Sequence, residues 1–158
     1  GFIELIPRRG FFVRELSGEE FSDLFDLRPL LDPQALLISG TPNETDLSVI
    51  EKANQVFQNA LTNEEAVTAD EAFHRYLIQH CPNRVLLDLI DNIMARTKRY
   101  ELALFRNTSA QYLAGNTHIK IIDALRAQDL QSACGHLRDN LCEGKADIID
   151  WLNSRKTS

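Results

Sequence analysis

At 158 residues, 44% hydrophobic and 25% charged, the chain has the size and composition of one globular domain with a real core, not of a disordered or fibrous protein. Its formal net charge of −6 runs against nucleic-acid binding by the bulk surface, because such binding rests on Lys and Arg neutralising phosphates. Cys81, Cys134 and Cys142 form no C-x-x-C pair and read as reduced thiols of a cytoplasmic protein, and neither a bilayer-length apolar run nor a secretory leader stands in the sequence.

The first residues differ from the rest of the chain. Phe2 to Ile6 and Phe11 to Val13 are aromatic and β-branched runs around Pro7-Arg8-Arg9-Gly10, the pattern of a β-hairpin. A two-stranded hairpin is marginal alone, so it is expected to belong to a larger unit. Arg8 and Arg9 at its tip read either as a solvated turn or as phosphate contacts.

From Ser17 onward the signals are helical. Ser17/Glu20, Thr41/Glu44, Thr62/Glu65 and Thr68/Glu71 each carry the S/T-x-x-E pattern of a capping box. The first helix is expected from Gly18 to Ser39, with Phe21, Leu24, Phe25, Leu31 and Leu36 as its apolar stripe and a kink or break imposed by Pro29 and Pro33. Gly40 ends it. Pro42, at a first-turn position, opens a second helix through Leu61. Its apolar positions Leu47, Ile50, Val56 and Phe57 are sparse, which places it at the periphery.

A third helix runs from Asn63 to His80 and ends at Cys81-Pro82-Asn83, so the Thr68/Glu71 box would lie in its interior. The fourth, Asn83 to Asn107, has Leu86, Ile90, Ile93, Tyr100 and Leu104 as a sustained core-facing stripe. A fifth spans Ser109 to Ala127 with Tyr112, Ile119, Ile122 and Leu125 inward. The last, Asp129 to Asn153, uses Leu130, Ala133, Leu137, Leu141, Ile148 and Trp151, with Gly144 as a point of interruption. The fold class is therefore all-α, an antiparallel bundle of about six helices preceded by a short hairpin.

Asp70 and His74 stand four residues apart in the third helix, on one face, so both can reach a single ion or polar ligand. Such a pair is also the ordinary pattern of a surface ion pair or a satisfied core histidine.

The ordered motifs of the chain resemble a known family. Gly1 to Val13 is similar to the end of the winged-helix domain of GntR-family transcription regulators, whose wing closes on an R-x-G-x-F/Y-V type sequence. The remainder of the chain resembles the FadR-type C-terminal domain, the all-helical effector-binding and dimerisation half of those regulators. Arg28-x-x-Leu31-Asp32 stands where that family carries R-x-x-L-E. Asp70-x-x-x-His74 with Asn83 downstream, His118-x-x-Ile121-x-x-Ala124-Leu125, and Asp129-x-x-x-Ala133 match further motifs. The resemblance implies residues 1–16 as the remnant of a winged-helix DNA-binding domain and residues 17–158 as the helical domain. It implies a homodimer that senses a small carboxylate effector and binds operator DNA through a winged-helix domain absent from this sequence, with Arg8 and Arg9 as DNA contacts.

Many members of the subgroup hold a divalent metal with one aspartate and three histidines. By resemblance the ligands are Asp70, His74 and His118, with zinc or nickel first among the metals, but Asn140 stands where the third histidine should fall. A neutral amide oxygen is a weaker donor than imidazole. Asn140 is thus either a ligand or a hydrogen-bond partner of the effector, and His136, one turn earlier, is its competitor for the position. Arg28 is either an i,i+4 partner of Asp32 or a cavity-facing guanidinium for the effector carboxylate. Two other readings compete. Glu71-x-x-His74 is a literal E-x-x-H, which raises a mononuclear metalloenzyme, but no second copy exists for a di-iron site; and the domain could be a dimerisation module with a non-functional site. On the family resemblance the protein is not expected to be an enzyme.

Overall fold

A computed structural model describes residues 3–6, 10–13, 16–104 and 111–155. Among them are a two-stranded hairpin and eight helices. Strands β1 (Ile3–Ile6) and β2 (Gly10–Val13) pair antiparallel with Ile3 opposite Val13 and Ile6 opposite Gly10. Arg8 and Arg9, expected to contact DNA, lie outside the described residues.

The expected first helix is two. Helix α1 (Gly18–Phe25) ends at Asp26 and Leu27, and α2 (Arg28–Ser39) begins with Pro29 in its first turn. The break falls before both prolines because a proline fits a helix start, where its missing N–H costs nothing. Pro33 then sits inside α2 without ending it. Ser17 caps α1 through a bond from the Glu20 amide, whereas the Glu20 carboxylate, instead of closing the capping box, binds Arg96 and Tyr100 on another helix.

Helix α3 (Glu44–Gln58) starts two residues later than the Pro42 signal, because Asn43 is the cap, its Oδ1 accepting from the Asp46 amide. The Thr41/Glu44 box does not form. The expectation that this helix is peripheral is also corrected: Leu47, Ile50, Ala53, Asn54 and Phe57 are all buried, and α3 packs along α4 and α6. The stripe looked sparse because a small residue and an amide complete it, while Val56 faces outward.

Helix α4 (Asn63–Ile78) opens on the full capping box of Thr62 and Glu65, which leaves Thr68/Glu71 interior, as expected. Helix α5 (Arg84–Leu104) is capped by Asn83, whose Oδ1 accepts from the Leu86 amide. Helix α6 (Gln111–Arg126) buries His118, Ile121, Ile122 and Leu125, at i, i+3, i+4 and i+7. Ile119, expected inward, is exposed because it lies one residue off that face; the Tyr112 side chain is outside the described residues. The expected last helix divides into α7 (Leu130–Cys142) and α8 (Lys145–Arg155) at Gly144, whose φ is 78°. These two divisions turn the expected six helices into eight.

The main core draws on α2 to α7, with Leu36, Ile50, Phe73, Ile90, Met94, Ile121, Leu125 and Leu137 almost wholly buried. A second core joins α1, α5 and α8 through Phe21, Tyr100, Ile148 and Leu152. Phe21 tilts against both Phe25 and Tyr100, with ring centroids 5.1 Å apart in each pair. All three cysteines are free, Cys81 and Cys134 buried and Cys142 exposed. No described helix is long and apolar enough to cross a membrane.

The left-handed conformation at Gly144 has nothing within 4 Å of where a Cβ would sit, so a side chain there meets only backbone strain. Gly144→Ala is expected to lower the unfolding free energy by about 1 kcal/mol with no change in helical circular dichroism. An unchanged denaturation midpoint would contradict the strain assignment.

Candidate metal centre

Side chains of α4 and α6, both packed against α3, meet where the sequence places its chemistry. Asp70 and His74 lie one turn apart on α4, and His118 enters from α6. One ligand atom from each falls within 4.8 Å of the others. His118 Nε2 is 3.3 Å from Asp70 Oδ1, and His74 Nε2 is 3.6 Å from Asp70 Oδ2. Both rings are buried, whereas the Asp70 side chain keeps 26% of its exposure. His118 Nε2 is wholly enclosed, and the approach of Asp70 Oδ1 lies outside strict hydrogen-bond geometry. A buried nitrogen beside a carboxylate is costly unless a proton or a metal ion lies between them. Two imidazoles and one carboxylate suit a borderline divalent ion such as zinc or nickel, so the residues present fit one.

Arg28 and Asn140, the other expected residues, are both buried. Arg28 is buried on α2 and binds Asp32 Oδ2 through both Nη2, at 2.8 Å, and Nε, at 3.3 Å. It is therefore the ion pair of the first reading but buried, as the second required. Asn140 is buried on α7, and its amide nitrogen donates to Thr117 Oγ1, the residue next to His118, at 2.9 Å. His136 is half-buried and stands outside the cluster. Glu71, the first residue of the E-x-x-H, is committed to Lys98 Nζ at 2.6 Å, away from any role as a base beside the trio. His80 pairs with Asp46 on the surface.

Residues 23–141 match the FCD domain. The chain belongs to the FCD domain family. FCD domains are parts of transcription regulators, not enzymes, which removes the metalloenzyme reading. The fold is shared with a GntR-family regulator from Pseudomonas syringae pv. tomato, with a TM-score of 0.77 at 18% identity over 99% of this chain and 66% of that one. It is shared also with McbR/YncC of E. coli, at 0.83 and 15% over 94% and 77%, and with the metal-free FCD domain of TM0439, at 0.70 and 15% over 89% and 99%. This FCD domain thus spans just under two thirds of the first of these chains. A search of curated proteins gives no match.

Two residues of this FCD domain's site carry no motif. Asn54 Oδ1 on α3 lies 3.1 Å from His118 Nδ1 in hydrogen-bond geometry. Glu101 on α5 lies within electrostatic reach of Asp70, Arg28 and Glu71. Neither was legible in sequence, because one looks like a surface amide and the other like one more acid on a long charged helix.

Burial and neighbouring charges shift Asp70, His74 and Glu101. Desolvation raises the Asp70 carboxyl, but His74, His118 and Arg28 more than offset this and hold it at about 2. Burial drives the His74 imidazole down to about 3, against the attraction of Asp70, with Arg28 and His118 adding to the fall. At neutral pH Asp70 is ionised and His74 neutral, the forms that bind metal. Desolvation and repulsion from Asp70 push Glu101 up to about 7, against the pull of Arg28.

These shifts act on stability with opposite signs. Between 6.5 and about 3 the unfolded chain holds a proton on His74 that the folded protein lacks, so stability falls as pH drops through this range. Between 4.5 and about 7 the folded protein holds a proton on Glu101 that the unfolded chain lacks, so that contribution is lost as pH rises. In chelator-treated protein, His74→Gln is expected to flatten the acid-side fall in Tm and Glu101→Gln the fall toward neutrality. Curves parallel to the parent in both variants would contradict these assignments.

Proposed function

We propose that this chain is the effector-sensing and dimerisation domain of a GntR-type transcription regulator of the FadR class, with a divalent metal, zinc or nickel, held by Asp70, His74 and His118. The observation that carries the proposal is the convergence of these three side chains, with Asp70 ionised, His74 neutral and His118 Nε2 enclosed beside the Asp70 carboxylate. When bound, the ion supplies positive charge and open coordination positions for an oxygen ligand. A small carboxylate is the effector class this favours.

The chain's own residues do the rest. Arg28, neutralised at short range by Asp32, still contributes its positive field to Asp70 and Glu101. Asn140 supplies a neutral amide where a third imidazole would be, either to the ion or to the effector. The buried polar residues come from α2, α3, α4, α6 and α7, so an effector that prefers one arrangement of these helices shifts the population of that arrangement. In the homodimer, that shift would alter the spacing of paired winged-helix domains on their half-sites. The hairpin of β1 and β2 is the closing part of such a domain, and Arg8 and Arg9 would contact operator DNA from it. A cytoplasmic location follows from this role.

Tag-free protein is expected to gain about 5–10 °C in Tm at ~100-fold excess of zinc or nickel over Kd. Asp70→Asn and His118→Ala should abolish that gain, and millimolar carboxylates should add to Tm only when metal is present. A Tm unmoved by either metal would leave a dimerisation module with a non-functional site.

A further inference from the structure

We propose that Asn54 is the positioning residue that fixes the tautomer and ring orientation of His118, and so decides which imidazole nitrogen the site can use. The inference deepens the metal-binding reading and rests on it for its consequence, but not for its geometry.

A neutral imidazole carries one proton for two nitrogens. Two oxygens compete for it at His118. Asn54 Oδ1 lies 3.1 Å from Nδ1 in hydrogen-bond geometry. Asp70 Oδ1 lies 3.3 Å from Nε2, which is unpartnered by the same geometric standard. With the proton on Nδ1, the Asn54 bond is made and the Nε2 lone pair faces the Asp70 carboxylate. With the proton on Nε2, Nδ1 would need a donor, which Asn54 supplies only by turning its amide over and withdrawing the oxygen that now faces the ring. Asn54 is 4% exposed and His118 fully buried, so no water can stand in for that donor.

The surrounding rings prevent escape by rotation. Phe73 on α4 stacks on the His118 ring with centroids 3.9 Å apart and planes 18° apart, and Phe57 on α3 tilts against it at 5.1 Å. Phe57 lies three residues after Asn54 on the same buried face, so α3 supplies both the proton acceptor and one wall of the slot. The imidazole can neither flip nor swing without displacing a phenylalanine. Its Nε2 lone pair is thus held toward Asp70, an arrangement that repels until a cation lies between the two. The same division of labour, in which the second ring nitrogen donates to a fixed oxygen, orients metal-bound histidines generally.

The test uses the full chain labelled with 15N-histidine and treated with chelator, so that tautomers are read by long-range 1H–15N correlation without metal. The parent is expected to show His118 protonated on Nδ1 and bare on Nε2. Asn54→Asp, which keeps the acceptor, should preserve that pattern and zinc affinity. Asn54→Ala should move the proton to Nε2 and weaken zinc binding by about 10–100-fold. A merely structural role would leave the tautomer unchanged in Asn54→Ala, and that result overturns the proposal, as does an Nε2-protonated His118 in the parent. Should the parent show the expected tautomer but bind no zinc, the metal reading fails while the tautomer shift in Asn54→Ala still decides the role of Asn54.

Discussion

The His118 imidazole binds α3, α4 and α6 to one another through a single buried ring. Its Nδ1 meets the Asn54 amide oxygen on α3, its Nε2 faces Asp70 on α4, and Phe73 and Phe57 hold its faces. An apolar residue of similar size would fill the same space at less cost in desolvation. What the polar ring adds is two nitrogens that meet oxygens on α3 and α4. The core around it, Ile50, Phe73, Ile121 and Leu125, provides the rigidity that makes such placement meaningful.

The charge pattern extends outward from that ring. Asp70 is flanked by Arg28, and Arg28 is balanced by Asp32 on its own helix. Buried charges survive only in pairs or networks, and this one alternates in sign from α2 to α4. Tyr100, the neighbour of Glu101 along α5, belongs to the second core. There its hydroxyl donates to Glu20 and accepts from the Ser17 amide at the start of α1. One helix thus carries adjacent residues serving the candidate site and the entrance to the helical domain.

Much of this was legible in the residues. The Thr62/Glu65 box acts locally and set the start of α4 without tertiary help. The Asp70/His74 spacing and the hairpin are likewise short-range. Features decided by packing were less visible. The stripe of α3 is completed by Ala53 and Asn54, which a count of large apolar residues passes over. Ile119 and Ile121 differ by two positions and only one faces inward, a distinction that sequence could make only by treating His118 as a core residue. Glu20 had a local partner available in its capping box and took distant ones, Arg96 and Tyr100, because burial rewards a charge-assisted pair above an exposed cap. Asn140 stands out by its place in a family pattern, and its amide bonds Thr117 on α6, whereas Asn54 had no pattern to mark it.

If Asp70, His74 and His118 hold one metal ion, anomalous diffraction at the zinc edge from crystals of tag-free protein grown with zinc will show one peak enclosed by these three side chains. It is expected at about 2.0–2.2 Å from one oxygen of Asp70 and one nitrogen of each histidine. Crystals saturated with zinc that show no peak there, or whose ordered zinc binds elsewhere, would contradict it.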